Sequence, residues 1–97
     1  MKERAFIYIL FNRKRGTLYI GVTSDLLKRI YEHKNKITGG FTAKYNIDKL
    51  GYYEIHTSMI EAIKREKQLK KFYRHQKIIL IEKNNPDWHD LYYELCK

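Results

Sequence analysis

"AFIYILFNRKRGTLYIGVTSDLLKRIYEHK", residues 5 to 34, decides how this chain folds. Its first seven residues are apolar on both alternating sets and carry no helix-capping signal, the pattern of a strand covered on both faces. The basic stretch "NRKRG" interrupts it, and "TLYIGV" resumes the aromatic and β-branched composition. The two runs therefore form a hairpin, with Gly16 as its permissive backbone position. Thr23, Ser24 and Asp25 then offer side-chain oxygens to orphan N–H groups. A helix is expected from there to about Asn35, with the apolar stripe Leu26, Leu27, Ile30 and Ile37.

Working outward, "TGGFTAKYN" has paired glycines and no period and reads as a mobile loop, and "DKLGYYEIH" reads as a third strand. Ser58 caps a long helix reaching about Tyr73, and "HQKIILIEK" continues as further helix. Pro86 suits the first position of a short last helix in "DWHDLYYEL", where its missing N–H costs nothing. The order of elements implies an α+β fold, a small antiparallel sheet of three strands flanked by helices. Residues 1–97 make one domain, with a motif-bearing core over about 5–80 and a helical extension over about 84–97.

The chain has 97 residues, 43% of them hydrophobic, and a formal charge of +9, which describes a folded basic protein whose natural partner is a polyanion. There is no secretory signal and no apolar run of the roughly 20 residues that span a bilayer, so a soluble, cytoplasmic protein is expected. A membrane surface would also attract the charge, but that role calls for a basic helix with an exposed apolar face. The single cysteine, Cys96, can form neither an internal disulfide nor a cysteine-rich zinc site.

Several residues could carry chemistry. Hairpin pairing can bring Tyr8 and Tyr19 to one face, and Gly21, two positions beyond Tyr19, leaves that face open as if for a ligand or another backbone. On spacing alone, two core tyrosines with satisfied hydroxyls would be the simpler account. Arg29 and His33 stand four apart at the border of the apolar stripe, which aims them along the sheet; a solvated helix edge would place them there too. Glu66 occupies the centre of a helical stripe made by Met59, Ala62, Leu69 and Tyr73. A carboxylate there must be paired, protonated or holding a cation. Lys70, one turn on, is the ordinary partner, and a metal ion is the alternative.

Between residues 58 and 77 seven basic residues face only Glu61 and Glu66. Lys64, Lys67, Lys70, Lys71 and Arg74, with Lys28 on the first helix, are candidates for tracking a phosphate backbone; a solvated face accounts for the same charges. Trp88, Tyr92 and Tyr93 could stack on bases or simply close the core. A glycine-rich phosphate loop, paired histidines at zinc-protease spacing and a cysteine nucleophile are all missing.

Taken together, these residues resemble the GIY-YIG nucleases. "FIY" (6 to 8) stands in for the first tripeptide, "YIG" (19 to 21) matches the second, and Arg29, His33 and Glu66 follow in the family's order. The likeness covers roughly residues 5 to 80 and is strongest to small stand-alone bacterial members, of the URI type and like the N-terminal nuclease module of the repair excinuclease. Phe6 replaces the first motif's glycine, and Val22 stands where many members carry a lysine.

The resemblance implies a divalent-metal-dependent endonuclease that hydrolyses DNA phosphodiesters, directed by structure rather than sequence, in repair or processing. It implies Tyr19 as general base, Tyr8 as its orienting partner and Arg29 as the phosphate clamp. His33 would lend positive charge to activate Tyr19 or, if neutral, take its proton and relay it, and Glu66 would be the ligand of one Mg²⁺ or Mn²⁺ ion. DNA would be the partner, a protein could supply specificity, and the chain would be nucleoid-associated when bound. The other reading is a basic nucleic-acid-binding module whose nuclease activity is weak or depends on a partner.

Overall fold

β1 (Ala5–Phe11) is the middle strand of an antiparallel sheet ordered β2-β1-β3, with β2 spanning Leu18–Thr23 and β3 spanning Lys49–His56. The computed structural model describes residues 4–97. Helix α1 (Leu26–Lys34) and the short α2 (Gly40–Lys44) precede β3, and α3 (Met59–Lys70), α4 (Arg74–Asn84) and α5 (Tyr92–Leu95) follow it. β1 pairs Tyr8 with Gly21 and Leu10 with Tyr19 on one side, and Tyr8 with Tyr53 on the other, with an irregularity between Ile9 and Leu10.

The central place of β1 explains its unbroken apolar run, because both of its faces are covered. Ile7, Ile9 and Phe11 pack with Ile20, with Ala62 and Leu69 of α3, with Ile81 of α4 and with Trp88. Tyr8 and Leu10 point the other way, into Leu26 and Ile30 of α1, Ile47 and Leu50. Each fully buried isoleucine or leucine contributes about 1.5–3 kcal/mol relative to exposure, so this strand anchors both layers.

The capping signals act as expected. Asp25 accepts from the Lys28 amide at 3.2 Å and Ser58 from the Glu61 amide at 3.2 Å, which fixes where α1 and α3 begin.

Five expectations need correction. In the hairpin loop the left-handed residue is Arg15, at φ 55°, not Gly16. Gly16 is required instead for space, since a Cβ there would lie 2.2 Å from Asn12 Oδ1 and 2.9 Å from the Arg13 carbonyl oxygen. On α1, Leu26 and Ile30 are buried, but Leu27 is 40% exposed, and Ile37 lies beyond the helix end, also exposed. The expected loop at 38–46 contains α2, whose glycines at 39 and 40 take the positive φ values that start it.

The long helix stops at Lys70 rather than Tyr73. Tyr73 is the N-cap of α4, exposed, with its amide donating to Gln76 Oε1 at 2.8 Å. The expected last helix shrinks to Tyr92–Leu95 because polar side chains take up the preceding backbone groups. Asn85 bonds Gly51 O, His89 O and His89 N, while Asp90 Oδ1 accepts from the Leu50 and Tyr92 amides. Within that segment Trp88 is buried at φ 55°, edge-on to Phe11 with ring centroids 5.2 Å apart, so it closes the core. Tyr92 is half-buried and Tyr93 exposed.

Candidate active site

Tyr8, Tyr19 and His33 form a triangle of rings at the β2 side of the sheet. Ring centroids are 6.4 Å apart for the two tyrosines, and 5.8 Å from the histidine to each. The three differ sharply in exposure: Tyr8 is 1% and His33 5% accessible, whereas Tyr19 is 36% accessible. Gly21 makes this possible. A Cβ there would sit 2.3 Å from Tyr8 Oη, so the space expected to stay open for a ligand is filled by the Tyr8 phenol lying across its cross-strand partner.

His33 is held from both ring nitrogens. Its Nε2 is 3.3 Å from Tyr8 Oη, and its Nδ1 is 3.1 Å from Thr42 Oγ1 and 3.2 Å from Thr38 Oγ1. The two threonines, from α2 and the turn before it, are site residues that reasoning from sequence did not find; a buried histidine needing a second partner is the one signal that could have pointed to them. Burial, and then the Arg29 charge, push the His33 pKa below 6.5. The imidazole is therefore neutral at neutral pH. Of the two tyrosines only Tyr8 is its hydrogen-bonding partner; among the described residues no hydrogen bond joins it to Tyr19.

Burial pushes the Tyr8 hydroxyl up to about 12, reinforced by the nearby Tyr19 and Glu66 and opposed by Arg29. Tyr8 thus keeps its proton across the physiological range and serves as a donor rather than a base. Arg29, on the same face of α1 as His33, has Nε 3.3 Å from Glu32 Oε1 and remains 41% exposed. It lines a surface hollow of about 300 Å³ with Thr23, Ser24, Asp25, Lys28 and Glu32. Two larger hollows, of about 690 and 480 Å³, are both lined by Tyr53 and Ile55 of β3 and by none of Tyr8, Tyr19, Arg29, His33 and Glu66.

Glu66 comes from α3, which packs on β1 and β2 from the opposite layer. Its side chain is only 15% exposed, and its carboxylate faces the Lys70 ammonium at 3.6 Å. That low exposure sets the carboxylate against the protein rather than out in bulk solvent. Among the described residues no group of three or more histidine, cysteine, aspartate or glutamate side chains could cage a metal.

Lys28, Lys64, Lys67 and Lys71 are exposed. Arg74 is exposed as well but is used within the protein: it donates to the carbonyls of Arg15 and Gly16, fixing the hairpin loop to the start of α4.

A strand hairpin, a following helix and a third-helix carboxylate arranged in this way define a class. The chain belongs to the GIY-YIG catalytic domain family, a nuclease domain family whose model matches residues 4–79. Its relatives include small proteins named UPF0213. It is 37% identical to one from Staphylococcus saprophyticus over 79 residues, covering 81% of this chain and 95% of the relative. It is 40% identical to one from Clostridium perfringens over 76 residues, covering 78% and 81%. The solution structure of a UPF0213 protein from Bacillus halodurans matches with a TM-score of 0.55 at 25% identity, over 90% of this chain and 92% of that one.

Proposed function

We propose that this protein is a metal-dependent DNA endonuclease acting in repair or processing, with Tyr8, Tyr19, Arg29, His33 and Glu66 as its machinery. One observation carries the reading: of three rings in mutual contact range, only Tyr19 reaches solvent, while its neighbours Tyr8 and His33 are buried and fixed. Tyr19, as the phenolate left when its hydroxyl proton passes to solvent, can take a proton from a water molecule at the surface as that water attacks phosphorus. Tyr8, locked on His33 Nε2, holds the water or the Tyr19 hydroxyl in line. Arg29 leaves Glu32 to grip two non-bridging phosphate oxygens, which its guanidinium fork matches and where transition-state charge grows.

The donor set suits a hard divalent ion. Glu66 supplies one largely covered carboxylate, and Mg²⁺ or Mn²⁺ is commonly bound by one or two carboxylates with the remaining positions left to water and phosphate. When bound, such an ion would neutralise charge on the leaving 3′ oxygen.

Cleavage of a labelled DNA substrate with Mg²⁺ or Mn²⁺ tests this. Tyr19→Phe and Glu66→Ala should each lose about 10²–10⁴-fold in rate while keeping salt-sensitive DNA binding. Equal, metal-independent traces in parent and variants would refute it. That result would favour a binding module, the second reading, which has its own support in the pairing of Arg29 with Glu32 and of Glu66 with Lys70.

A further inference from the structure

α2 does more than hold His33. Phe41 and Tyr45, one helical turn apart, are 53% and 46% exposed, with ring centroids 5.0 Å apart. Lys44 Nζ stands 5.3 Å from the Tyr45 ring centroid. Asn12 Nδ2 donates to the Tyr45 carbonyl at 3.4 Å, which puts the hairpin loop with the exposed Arg13 and Lys14 beside the pair. Residues 33–47 carry three lysines and no acidic residue; Lys34 is paired with Asp90, which leaves Lys36 and Lys44 as the segment's cations beside the rings. Two adjacent rings left in water, bordered by cations with no anion in the segment, suit a ligand with a flat π face and negative charge next to it.

Position strengthens the match. Thr42, between the two rings in sequence, touches His33, so the platform begins one residue from the reacting centre. Arg29 stands one turn from His33 on α1 and Thr42 touches His33, so a phosphate held by Arg29 and a base on α2 would flank the same imidazole. A base paired inside a duplex has both faces covered and cannot stack there.

We propose that α2 is a stacking platform for an unpaired nucleobase adjoining the cleaved phosphate, which makes single-stranded or frayed DNA the preferred substrate. The proposal rests on the nuclease reading for its substrate but not for its test. Anisotropy titrations of a labelled thymidine oligonucleotide and of a blunt duplex, in a chelator so that nothing is cut, compare the parent with Phe41→Ala, Phe41→Leu, Tyr45→Ala and Lys44→Ala.

Both alanine variants of the rings, and Phe41→Leu, should weaken single-strand binding about tenfold, within the range that stacking on one aromatic supplies. Duplex affinity and the salt slope should stay as in the parent. Lys44→Ala should weaken both ligands and flatten the slope by about 1.

Equal loss for strand and duplex, no loss for either, or full rescue by Phe41→Leu would overturn the platform. So would a dimer in sedimentation that Phe41→Ala dissolves without altering DNA affinity, since the rings would then cover a second copy. A parent that prefers single strands yet never cleaves would sink the nuclease reading alone. Cleavage with unchanged strand preference in the ring variants would sink the platform alone.

Discussion

Replacing Gly21 by alanine probes the site through one methyl group. The new Cβ would lie 2.3 Å from Tyr8 Oη and 2.4 Å from Cζ, where ordinary contact starts at 3.4 Å, so the ring must retreat by about 1 Å. Tyr8 is 1% exposed and packed on Leu10, Leu26 and Ile30, which leaves little room for that movement. Its bond to His33 Nε2 is already 3.3 Å long and would break.

Overpacking of this kind costs about 1–3 kcal/mol, and the reduced freedom of the unfolded chain returns only about 0.4–1 kcal/mol, because Gly21 does not sit at positive φ. The net loss should lower Tm by about 4–15 °C in a domain of this size. Cleavage should fall about 100-fold, the effect of a 1 Å misplacement at a reacting centre.

Calorimetry on the variant and on the Gly21→Ala/Tyr8→Leu pair checks the cause: the double change should cost less than the sum of its parts, since leucine vacates the contested space. Tyr8→Phe should give no such relief, because Cζ remains. A Gly21→Ala protein as stable as the parent, cleaving within twofold of it, would refute the stacked geometry.

Two further outcomes follow from titrating groups. His33 has a folded pKa below 6.5, so as pH falls through 6.5 the unfolded chain takes up a proton before the native one does, and stability declines down to the folded value. In urea melts across that window, His33→Gln should remove this part of the slope; an unchanged slope would mean the imidazole is not held neutral. On the opposite layer, Glu54 accepts a bidentate pair from Arg65 at 3.0 Å, and also bonds Tyr52 Oη at 2.5 Å and His56 Nε2 at 3.0 Å. Burial alone would raise its pKa, but these hydrogen bonds outweigh it and hold the carboxyl below 4.5. Glu54→Gln should cost about 2 kcal/mol at neutral pH, with partial exposure already discounted. The difference from the parent should vanish as pH falls below 4.5 through the lowered value; a difference that persists in acid would exclude the charge as its source.

How much of this was legible depended on whether a signal was local. The β1 run, the hairpin and the Asp25 and Ser58 caps are written in neighbouring residues, and so is the order of Tyr8, Tyr19, Arg29, His33 and Glu66. The break between α3 and α4 was not legible, since Lys71, Phe72 and Tyr73 include no customary cap and no glycine or proline; Gln76 caps the Tyr73 amide from within the next turn. The failed helix at 86–91 was hidden for a related reason. Asn85 and Asp90 spend their side chains on Gly51 and Leu50, partners 34 and 40 residues away that no local pattern reveals. The same holds for Arg74, whose carbonyl partners lie in the hairpin loop. It holds also for the grip of Thr38 and Thr42 on His33, which turns an apparent loop into part of the site.

The sheet order also dictates which tyrosine can do what. β1 is covered on both faces, so Tyr8 is buried, raised to about 12 and fixed to His33. β2 is an edge strand, so Tyr19, one pair further along the same face, keeps a third of its surface in water. Two phenols that are close to equivalent in the sequence thereby become a fixed donor and an accessible group. The edge matters for a second reason. α1 lies on the Tyr8 layer and α3 on the Ile7 layer, so Arg29 and Glu66 start on opposite sides of the sheet. Side chains from opposite layers can meet only around a strand that has no neighbour beyond it. Of the two edges, β3 has its face toward α3 occupied by the Glu54–Arg65 pair, and β2 carries the glycine that lets Tyr8 lie across it. The topology thus leaves β2 as the edge at which Arg29 and Glu66 can approach, with one residue lacking a side chain at the crossing point.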